Sequence, residues 1–348
     1  PPRRHGGARL MWIKRLLFGT LGLFVVLLFT MIIWTQVAPE QIVTLLINAE
    51  RRAAKLQAVT LQIPGFEIAT LQGGKGPPLV LVHGFGADKD HFTRVAKHLV
   101  PHYRVIAIDL PGFGASSMPA DEAYGIRQQT ERLGQIMDAL KLHSAHFGGS
   151  NMGGWIVSAF AVLYPDRVDS LWLLAPSGLV SANESYVRRV HRETGRNLLT
   201  SATPEAFGQV IDLVFHEPPF IPGPIKRYLA ERSARHHPLH MRIYDQLMEE
   251  AFWMEPQING NPVPALIVWG NQDRVADVSG GVVYSKLLPN SELRIMSNIG
   301  HLPMIEDPKT SAADYIAFRN ALPTTPEPAP VPTPGAEVQA DEPAGVPP

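Results

Sequence analysis

The chain has 348 residues, 45% of them hydrophobic, and a formal net charge of −1. So small a net charge supplies no long-range attraction for nucleic acid, and a nucleic-acid partner is not expected. The absence of cysteine excludes disulfides, thiolate metal sites and a cysteine nucleophile.

The first distinct element is an uncharged apolar run, LLFGTLGLFVVLLFTMIIWTQVA, over Leu16–Ala38. A transmembrane helix needs about 20 apolar residues, and aromatic anchors such as Trp34 are typical of its ends. The sequence therefore predicts a transmembrane helix over 16–38. A cleaved signal peptide is the alternative, but its apolar region is shorter, about 7–15 residues.

Basic residues precede this run, namely Arg3, Arg4, Arg9, Lys14 and Arg15. Their excess predicts that residues 1–15 stay in the cytoplasm and that the rest lies on the outer side, periplasmic or extracellular. Arg51, Arg52 and Lys55 follow the run and weaken this bias. Residues 1–10, before Met11, are interpreted as a mis-assigned start or an expression remnant.

The order of the next elements predicts an α/β fold. Residues 39–58 have apolar side chains at helical spacing and predict a juxtamembrane helix before a main domain over 59–322. Short apolar runs, typical of strands covered on both faces, lie at Pro78–Gly84, Arg104–Leu110, Ser144–Gly149, Val168–Pro176, Ala265–Gly270 and Glu292–Met296. Helical patterns alternate with them at Asp90–Leu99, Ala123–Lys141, Met152–Leu163, Val278–Leu288 and Lys309–Phe318. This alternation predicts a mostly parallel sheet with helices on both faces.

Two segments depart from the alternation. Residues 178–257 contain no convincing strand and predict a helical cap over the carboxyl ends of the strands, where ligands bind in such sheets. Residues 323–348 are rich in Pro, Ala and Glu and predict a disordered tail, because they cannot bury enough apolar surface to offset their ordering entropy.

The segment GGSNMGG between a predicted strand and a predicted helix is typical of a nucleophile elbow. Such a strained turn needs small residues two positions before and two after its apex. With Asn151 at the apex these are Gly149 and Gly153, whereas an apex at Ser150 would force Met152 into the tight crossing. The spacing therefore favours Asn151, although asparagine is also the residue that best tolerates a positive φ after glycine.

Candidates for an acid, a base and an oxyanion hole follow other predicted strands. Asp273 in VWGNQDRV and His301 in SNIGHLPM both lie directly after a strand, so the carboxylate can orient the imidazole. The alternative for an aspartate here, capping of the next helix, fits Asp277 better. Backbone N–H groups of Phe85 and Met152 are predicted to stabilise a developing oxyanion.

These segments occur in the order typical of one family. HGFG (His83–Gly86), DLPGFGAS (Asp109–Ser116), the elbow and the acid and base motifs follow one another as in α/β hydrolases, which the chain resembles over about Val59–Leu322. It is similar, in particular, to bacterial lipases and phospholipases A that carry a transmembrane helix before the hydrolase domain. The resemblance implies a membrane-anchored hydrolase of lipid-like acyl esters that needs no cofactor.

The remaining histidines are assigned structural roles. His83 is predicted to organise the HGFG turn. His236, His237 and His240 in RHHPLHM have no carboxylate at ligand spacing, so we interpret them as a solvated face of the cap and expect no metal site.

Asn151 leaves three interpretations open, because an amide has no proton whose removal by His301 gives a useful nucleophile. In the first, Ser150 attacks the ester from an elbow shifted by one residue. In the second, the chain is a pseudo-hydrolase that binds lipid or a partner lipase, as do co-activators of this fold that carry Gly-Xaa-Asn-Xaa-Gly. In the third, His301 activates water directly, or the site runs another chemistry such as carbon–carbon bond hydrolysis. The hydrolase interpretation is preferred because Asp273 and His301 both occupy the expected positions; its nucleophile stays open between Ser150 and Asn151, and the third interpretation is ranked last.

Overall fold

The computed structural model describes residues 6–249 and 252–322. Its first helix, α1 (Gly6–Val37), contains the apolar run. By length and composition, the part over Lys14–Val37 can cross a membrane, and none of it is buried inside the protein. The predicted disordered tail over 323–348 lies outside the described residues, as do residues 1–5.

The second helix, α2 (Pro39–Ala53), is shorter than the predicted helix over 39–58. Lys55 adopts a positive φ of 55°, which α-helical backbone does not allow, and the helix therefore ends before it. Ile42 of α2 is buried in a small apolar cluster with Ile225 of the cap. This contact attaches the N-terminal helices to the main domain.

An antiparallel hairpin, β1 (Gln57–Ile63) and β2 (Phe66–Gly73), follows α2 and was not predicted. Gly65 in its tight turn has a φ of 80°. Most side chains of β1 are exposed and only Ile63 is buried, because β1 is an edge strand of the sheet. An exposed edge strand lacks the continuous apolar run by which the inner strands are recognised.

The strands of the described residues form one sheet in the order β1-β2-β4-β3-β5-β6-β7-β8. The remaining strands are β3 (Pro78–Val82), β4 (Arg104–Ile108), β5 (Ala145–Ser150), β6 (Val168–Leu174), β7 (Ala265–Gly270) and β8 (Ser291–Met296). Strands β3 to β8 are all parallel to one another, whereas β2 pairs antiparallel with both of its neighbours, β1 and β4. The predicted mostly parallel sheet is confirmed.

Helices cover both faces of the sheet, as predicted. One face packs against α3 (Thr93–Leu99), α11 (Pro303–Glu306) and α12 (Pro308–Ala321), and the other against α4 (Ile126–Ala139), α5 (Met152–Leu163) and α10 (Ser279–Leu287). On the first face Trp172 of β6 stacks on Tyr315 at 4.7 Å between ring centroids, and on the second Phe147 contacts Phe160 at 5.1 Å. Strands β3 to β7 are therefore buried almost throughout.

Between β6 and β7 the chain forms the helices α6 (Tyr186–Thr194), α7 (Pro204–Val214), α8 (Gly223–Glu249) and α9 (Glu255–Ile258). The described part of segment 178–257 contains no strand. Residues of these helices and residues at the carboxyl ends of the strands line the same cavities. The helical segment thus lies over the edge of the sheet at which the predicted site residues stand.

Candidate active site

Asn151 forms the sharp turn between β5, which ends at Ser150, and α5, which begins at Met152. Its φ of 51° and ψ of −115° lie outside both strand and helix conformations. The backbone is held on both sides, since its N–H donates to the carbonyl of Leu174 (3.0 Å) and its carbonyl accepts from Ser177 N–H (3.0 Å). The structure therefore has Asn151 at the apex of the turn.

Glycines allow the strand and the helix to approach each other beside this turn. A Cβ at Gly149 would lie 2.5 Å from the carbonyl oxygen of Gly153, and a Cβ at Gly153 would collide with the carbonyl oxygens of Val82 and His83. Real Cβ atoms do not reach such distances to backbone atoms. Both positions thus require glycine, in the register that the sequence favoured for an apex at Asn151.

Ser150 is the last residue of β5, and its side chain is fully buried. Its Oγ has no hydrogen-bond partner among the described residues. The residue pairs with Leu174 of β6, so its backbone belongs to the sheet rather than to the turn. Ser150 nevertheless contributes to the lining of the same cavity as Asn151 and His301.

Asp273 and His301 are brought together from the loops that follow β7 and β8. The Nδ1 atom of His301 lies 2.7 Å from Oδ2 of Asp273, and both side chains are almost completely buried. The other carboxylate oxygen, Oδ1, accepts from the N–H groups of Val275 (2.8 Å) and Ala276 (3.0 Å). Because the carboxylate is an acceptor at Nδ1, the favoured tautomer of neutral His301 carries its proton there, and Nε2 is left as the basic atom.

The two predicted oxyanion donors flank Asn151. The N–H of Phe85 points to Oδ1 of Asn151 at a long distance of 3.5 Å. Met152 is the first residue of α5, where backbone N–H groups have no partner within the helix. Gly84 keeps this space open, since a Cβ there would stand 3.0 Å from the Cβ of Asn151. Both donors therefore lie close to Asn151.

His83 has both ring nitrogens in structural hydrogen bonds. Nδ1 donates to the carbonyl of Gly84 (2.8 Å), while Nε2 accepts from the N–H of Leu110 (3.1 Å). Complete burial lowers the pKa of His83 and keeps the ring neutral. The side chain thus joins the HGFG turn to the loop after β4.

Two cavities, of about 350 Å³ and about 450 Å³, meet at Asn151 and Phe85. The smaller contains Ser150 and His301. Apolar residues of α7 line one part of it, whereas α8 contributes Leu229 together with Arg232, Ser233 and three histidines. The larger extends along α6 and includes Trp253. Together they give the turn an apolar space on either side.

A buried ion pair lies beneath the smaller cavity and was missed by the sequence analysis. Nζ of Lys89 contacts Oδ2 of Asp109 at 2.6 Å, and the same carboxylate accepts from the N–H groups of Lys89 and Ala115, both at 2.7 Å. Asp109 opens the DLPGFG motif directly after β4, and an aspartate after a buried strand is the one signal that the sequence offered. Loss of either partner would leave an uncompensated buried charge.

The cap histidines are only partly a solvated face. His240 stacks on Phe113 at 4.9 Å, and burial lowers the pKa of His240 to about 4. His236 lies 5.9 Å from His240 with nearly parallel rings. Within the part of the chain that the structure describes, these residues do not belong to any group of three or more metal-ligating side chains.

With this geometry in place, comparison with known proteins decides the family. The family model for the α/β-hydrolase fold matches residues 77–308, which include the turn at Asn151, the acid candidate and the base candidate. The chain belongs to the α/β-hydrolase fold family. The family resemblance found in the motifs is thereby confirmed.

This α/β hydrolase has lipases among its relatives. It is 36% identical to Lipase 3 of Moraxella sp. (strain TA144) over 250 residues, which are 71% of this chain and 78% of that lipase. It is 33% identical to Lipase 1 of Psychrobacter immobilis over 283 residues, or 80% and 88% of the two chains. A solved membrane phospholipase A, described as a bacterial virulence factor, is 37% identical and superposes with a TM-score of 0.79, covering 88% of this chain and 98% of that one. These relatives support carboxylic ester hydrolysis by this α/β hydrolase.

Proposed function

We propose that the chain hydrolyses lipid-like carboxylic esters in the cavity between the sheet and the cap. The observation that carries the proposal is the 2.7 Å contact between His301 and Asp273 beside the turn at Asn151. The apolar residues lining this cavity include Phe207, Val210, Ile211, Val214, Phe215, Ile221 and Leu229. Such a lining suits an acyl chain. The names of the lipase and phospholipase relatives support the same class of substrate.

His301 is the general base in this proposal. With Nδ1–H donated to Asp273, Nε2 takes a proton from the water that attacks the ester carbonyl. The N–H groups of Phe85 and Met152, at the start of α5, stabilise the oxyanion of the tetrahedral intermediate. The imidazolium then returns its proton to the leaving alcohol, and the carboxylic acid is released.

We assign the attack to water because neither elbow side chain is suited to it. The amide of Asn151 cannot be activated as a nucleophile by a neighbouring imidazole. Ser150 Oγ is buried without a hydrogen bond, and its backbone pairs with Leu174 in the sheet. Attack by Ser150, the first interpretation of the sequence, requires a hydrogen bond from its Oγ to His301, and Ser150 Oγ has no hydrogen-bond partner among the described residues.

We also propose that α1 anchors the hydrolase in a membrane, with residues 1–15 in the cytoplasm and the hydrolase domain on the outer side. The apolar part of α1 and the basic residues before it support this arrangement. Leu45 and Leu46 of α2 are about half exposed, and Phe220 in the cap is 91% exposed. These apolar side chains suit contact with the lipid surface next to the anchor.

A second candidate function is lipid binding without turnover, or binding of a partner lipase. The conformation of Asn151 favours it, because the apex of the turn carries a residue that cannot form an acyl-enzyme. In this alternative the two apolar cavities hold lipid, and the contact between His301 and Asp273 is only structural.

Hydrolysis of acyl esters that differ only in chain length tests the proposal. We expect the full chain in detergent to prefer long acyl chains and to lose activity in His301→Ala. His102, an exposed histidine in the loop between α3 and β4, offers a matched control, because His102→Ala should leave the rate unchanged. Activity confined to acetate esters, or equal activity in His301→Ala, would contradict the proposal. Bound lipid that is retained without any release of acid would instead support the binding function.

A further inference from the structure

The side chain of Asn151 is itself a carboxylic amide placed beside the hydrolytic groups. Its carbonyl oxygen, Oδ1, accepts from Phe85 N–H, one of the two donors assigned to the oxyanion. The side chain lines the same cavity as His301. The oxygen of Asn151 thus lies 3.5 Å from a donor that is assigned to the oxyanion, in the cavity that His301 lines.

We propose that Asn151 is a modification site, at which the folded chain hydrolyses its own side-chain amide and converts this asparagine to aspartate. The inference rests on the proposed function, because it uses the same base and the same oxyanion donors. It goes beyond that function in naming a substrate that is part of the chain. In this proposal the asparagine at the apex reacts chemically, in addition to adopting the conformation that the turn requires.

The surroundings of Asn151 keep its amide in place. The backbone is fixed by the hydrogen bonds to Leu174 and Ser177, and Gly84 leaves no side chain between the Asn151 side chain and the loop that carries Phe85. The residue is half-buried, so water reaches it through the cavities while bulk solvent is partly excluded. Holding the amide in one orientation beside the base lowers the entropic cost of the reaction.

The reaction balances without any cofactor. The oxygen of water forms a bond to Cγ of Asn151, and its proton passes to Nε2 of His301. The oxyanion at Oδ1 is held by the N–H groups of Phe85 and Met152. The imidazolium then donates its proton to Nδ2, the bond between Cγ and Nδ2 breaks, and ammonia leaves. The new carboxylic acid ionises, so that amide and water give carboxylate and ammonium.

The product differs from the encoded chain in one property that matters for catalysis. An ionised carboxylate is a nucleophile in covalent catalysis, whereas an amide is not. The conversion therefore supplies the elbow with a nucleophilic group that the sequence does not encode. It occurs once per chain and is permanent.

Peptide mass spectrometry tests this inference without any substrate. The tryptic peptide over 142–167 contains Asn151 as its only asparagine, and the next peptide, over 168–188, contains only Asn183. Asn183 lines the larger cavity and serves as the internal control. The full chain in detergent is incubated in ¹⁸O-water at neutral pH, and both peptides are followed over time. We expect the first peptide to gain the mass difference between amide and acid with one ¹⁸O, and the second to stay unchanged.

The variant His301→Ala tests whether His301 catalyses the conversion of Asn151. The conversion should slow by about 10²-fold or more in His301→Ala, in keeping with the contribution of a general base. Equal conversion in this variant, or no conversion in the native chain, would overturn the inference. A mixture of aspartate and isoaspartate would also overturn it, because that mixture arises when the backbone nitrogen of Met152 attacks Cγ without help from His301. Circular dichroism in detergent checks that the variant is folded. The native chain in denaturant provides a second control in which conversion should cease.

The inference and the proposed function can fail separately. Ester hydrolysis without conversion of Asn151 would overturn the inference and leave the proposed function standing. Conversion that depends on His301 but occurs without ester hydrolysis would support the inference and contradict the proposed function.

Discussion

Replacing Asn151 by serine should convert the site into a hydrolase that works through a covalent intermediate. Asn151→Ser puts a hydroxyl at the apex of the turn, in the cavity that His301 also lines. It also removes the side-chain oxygen that lies 3.5 Å from Phe85 N–H. We expect faster ester hydrolysis and covalent labelling of position 151 by a fluorophosphonate.

The substitution should change two quantities, the rate of ester hydrolysis and the free energy of unfolding. Removing the serine from a Ser–His–Asp triad lowers kcat by about 10⁶-fold, so supplying it raises the rate by at most about that factor, or about 8 kcal/mol in the barrier. A positive φ strains any residue with a Cβ, asparagine and serine alike, so the substitution should lower the free energy of unfolding by no more than about 1 kcal/mol. The melting temperature should then fall by only about 2–4 °C. The lost contact to Phe85 N–H adds little, since 3.5 Å is long for a hydrogen bond.

The assay combines hydrolysis of a long-chain p-nitrophenyl ester with mass spectrometry of the labelled peptide. His301→Ala in the same background should abolish the gain and the label. A variant that folds with the expected small loss of stability, yet gains no activity and takes up no label, would refute the assignment of the apex to position 151. Label on Ser150 in the native chain would refute it as well.

Three further predictions concern neighbouring residues. Ser150→Ala should change neither ester hydrolysis nor the free energy of unfolding by more than about 0.5 kcal/mol, because the Oγ lost has no partner among the described residues; a loss of activity as large as that of His301→Ala would favour the shifted elbow. Gly153→Ala should abolish folding or lower the melting temperature strongly, because the new Cβ collides with backbone carbonyls, whereas Gly223→Ala, with open space around it, should be neutral in thermal unfolding. Burial lowers the pKa of His146 from 6.5 to about 3, so between these values the unfolded chain binds a proton that the folded chain does not. The free energy of unfolding should therefore fall as the pH drops below 6.5, and denaturant titrations should show a weaker fall in His146→Gln.

The inner strands can be predicted from the sequence because each is covered by helices on both faces. Strands β3 to β8 coincide with the predicted apolar runs to within a few residues, and α5 has the predicted bounds of Met152–Leu163. The hairpin of β1 and β2 was missed because β1 lies at the edge with mostly exposed side chains. The predicted end of α2 was wrong because no sequence pattern predicts the positive φ of Lys55.

Some residues of the candidate site could likewise be predicted from the sequence, and some of its contacts could not. Asp273 and His301 could be paired from sequence because loops after adjacent parallel strands open at the same edge of a sheet. The salt bridge between Asp88 and Arg232 of α8, at 3.3 Å, joins residues that are 144 positions apart and depends on how the cap lies on the sheet. Local patterns contain no information about that placement. For the same reason the sequence did not predict the stacking of His240 on Phe113.

The most direct test of the account is the release of fatty acid from phospholipid vesicles by the full chain and by His301→Gln, incorporated at equal density. The account predicts release by the native chain and a fall of about 10²–10⁴-fold in the variant, the contribution expected of a general base. Equal release by both chains, or no release by the native chain, would contradict it.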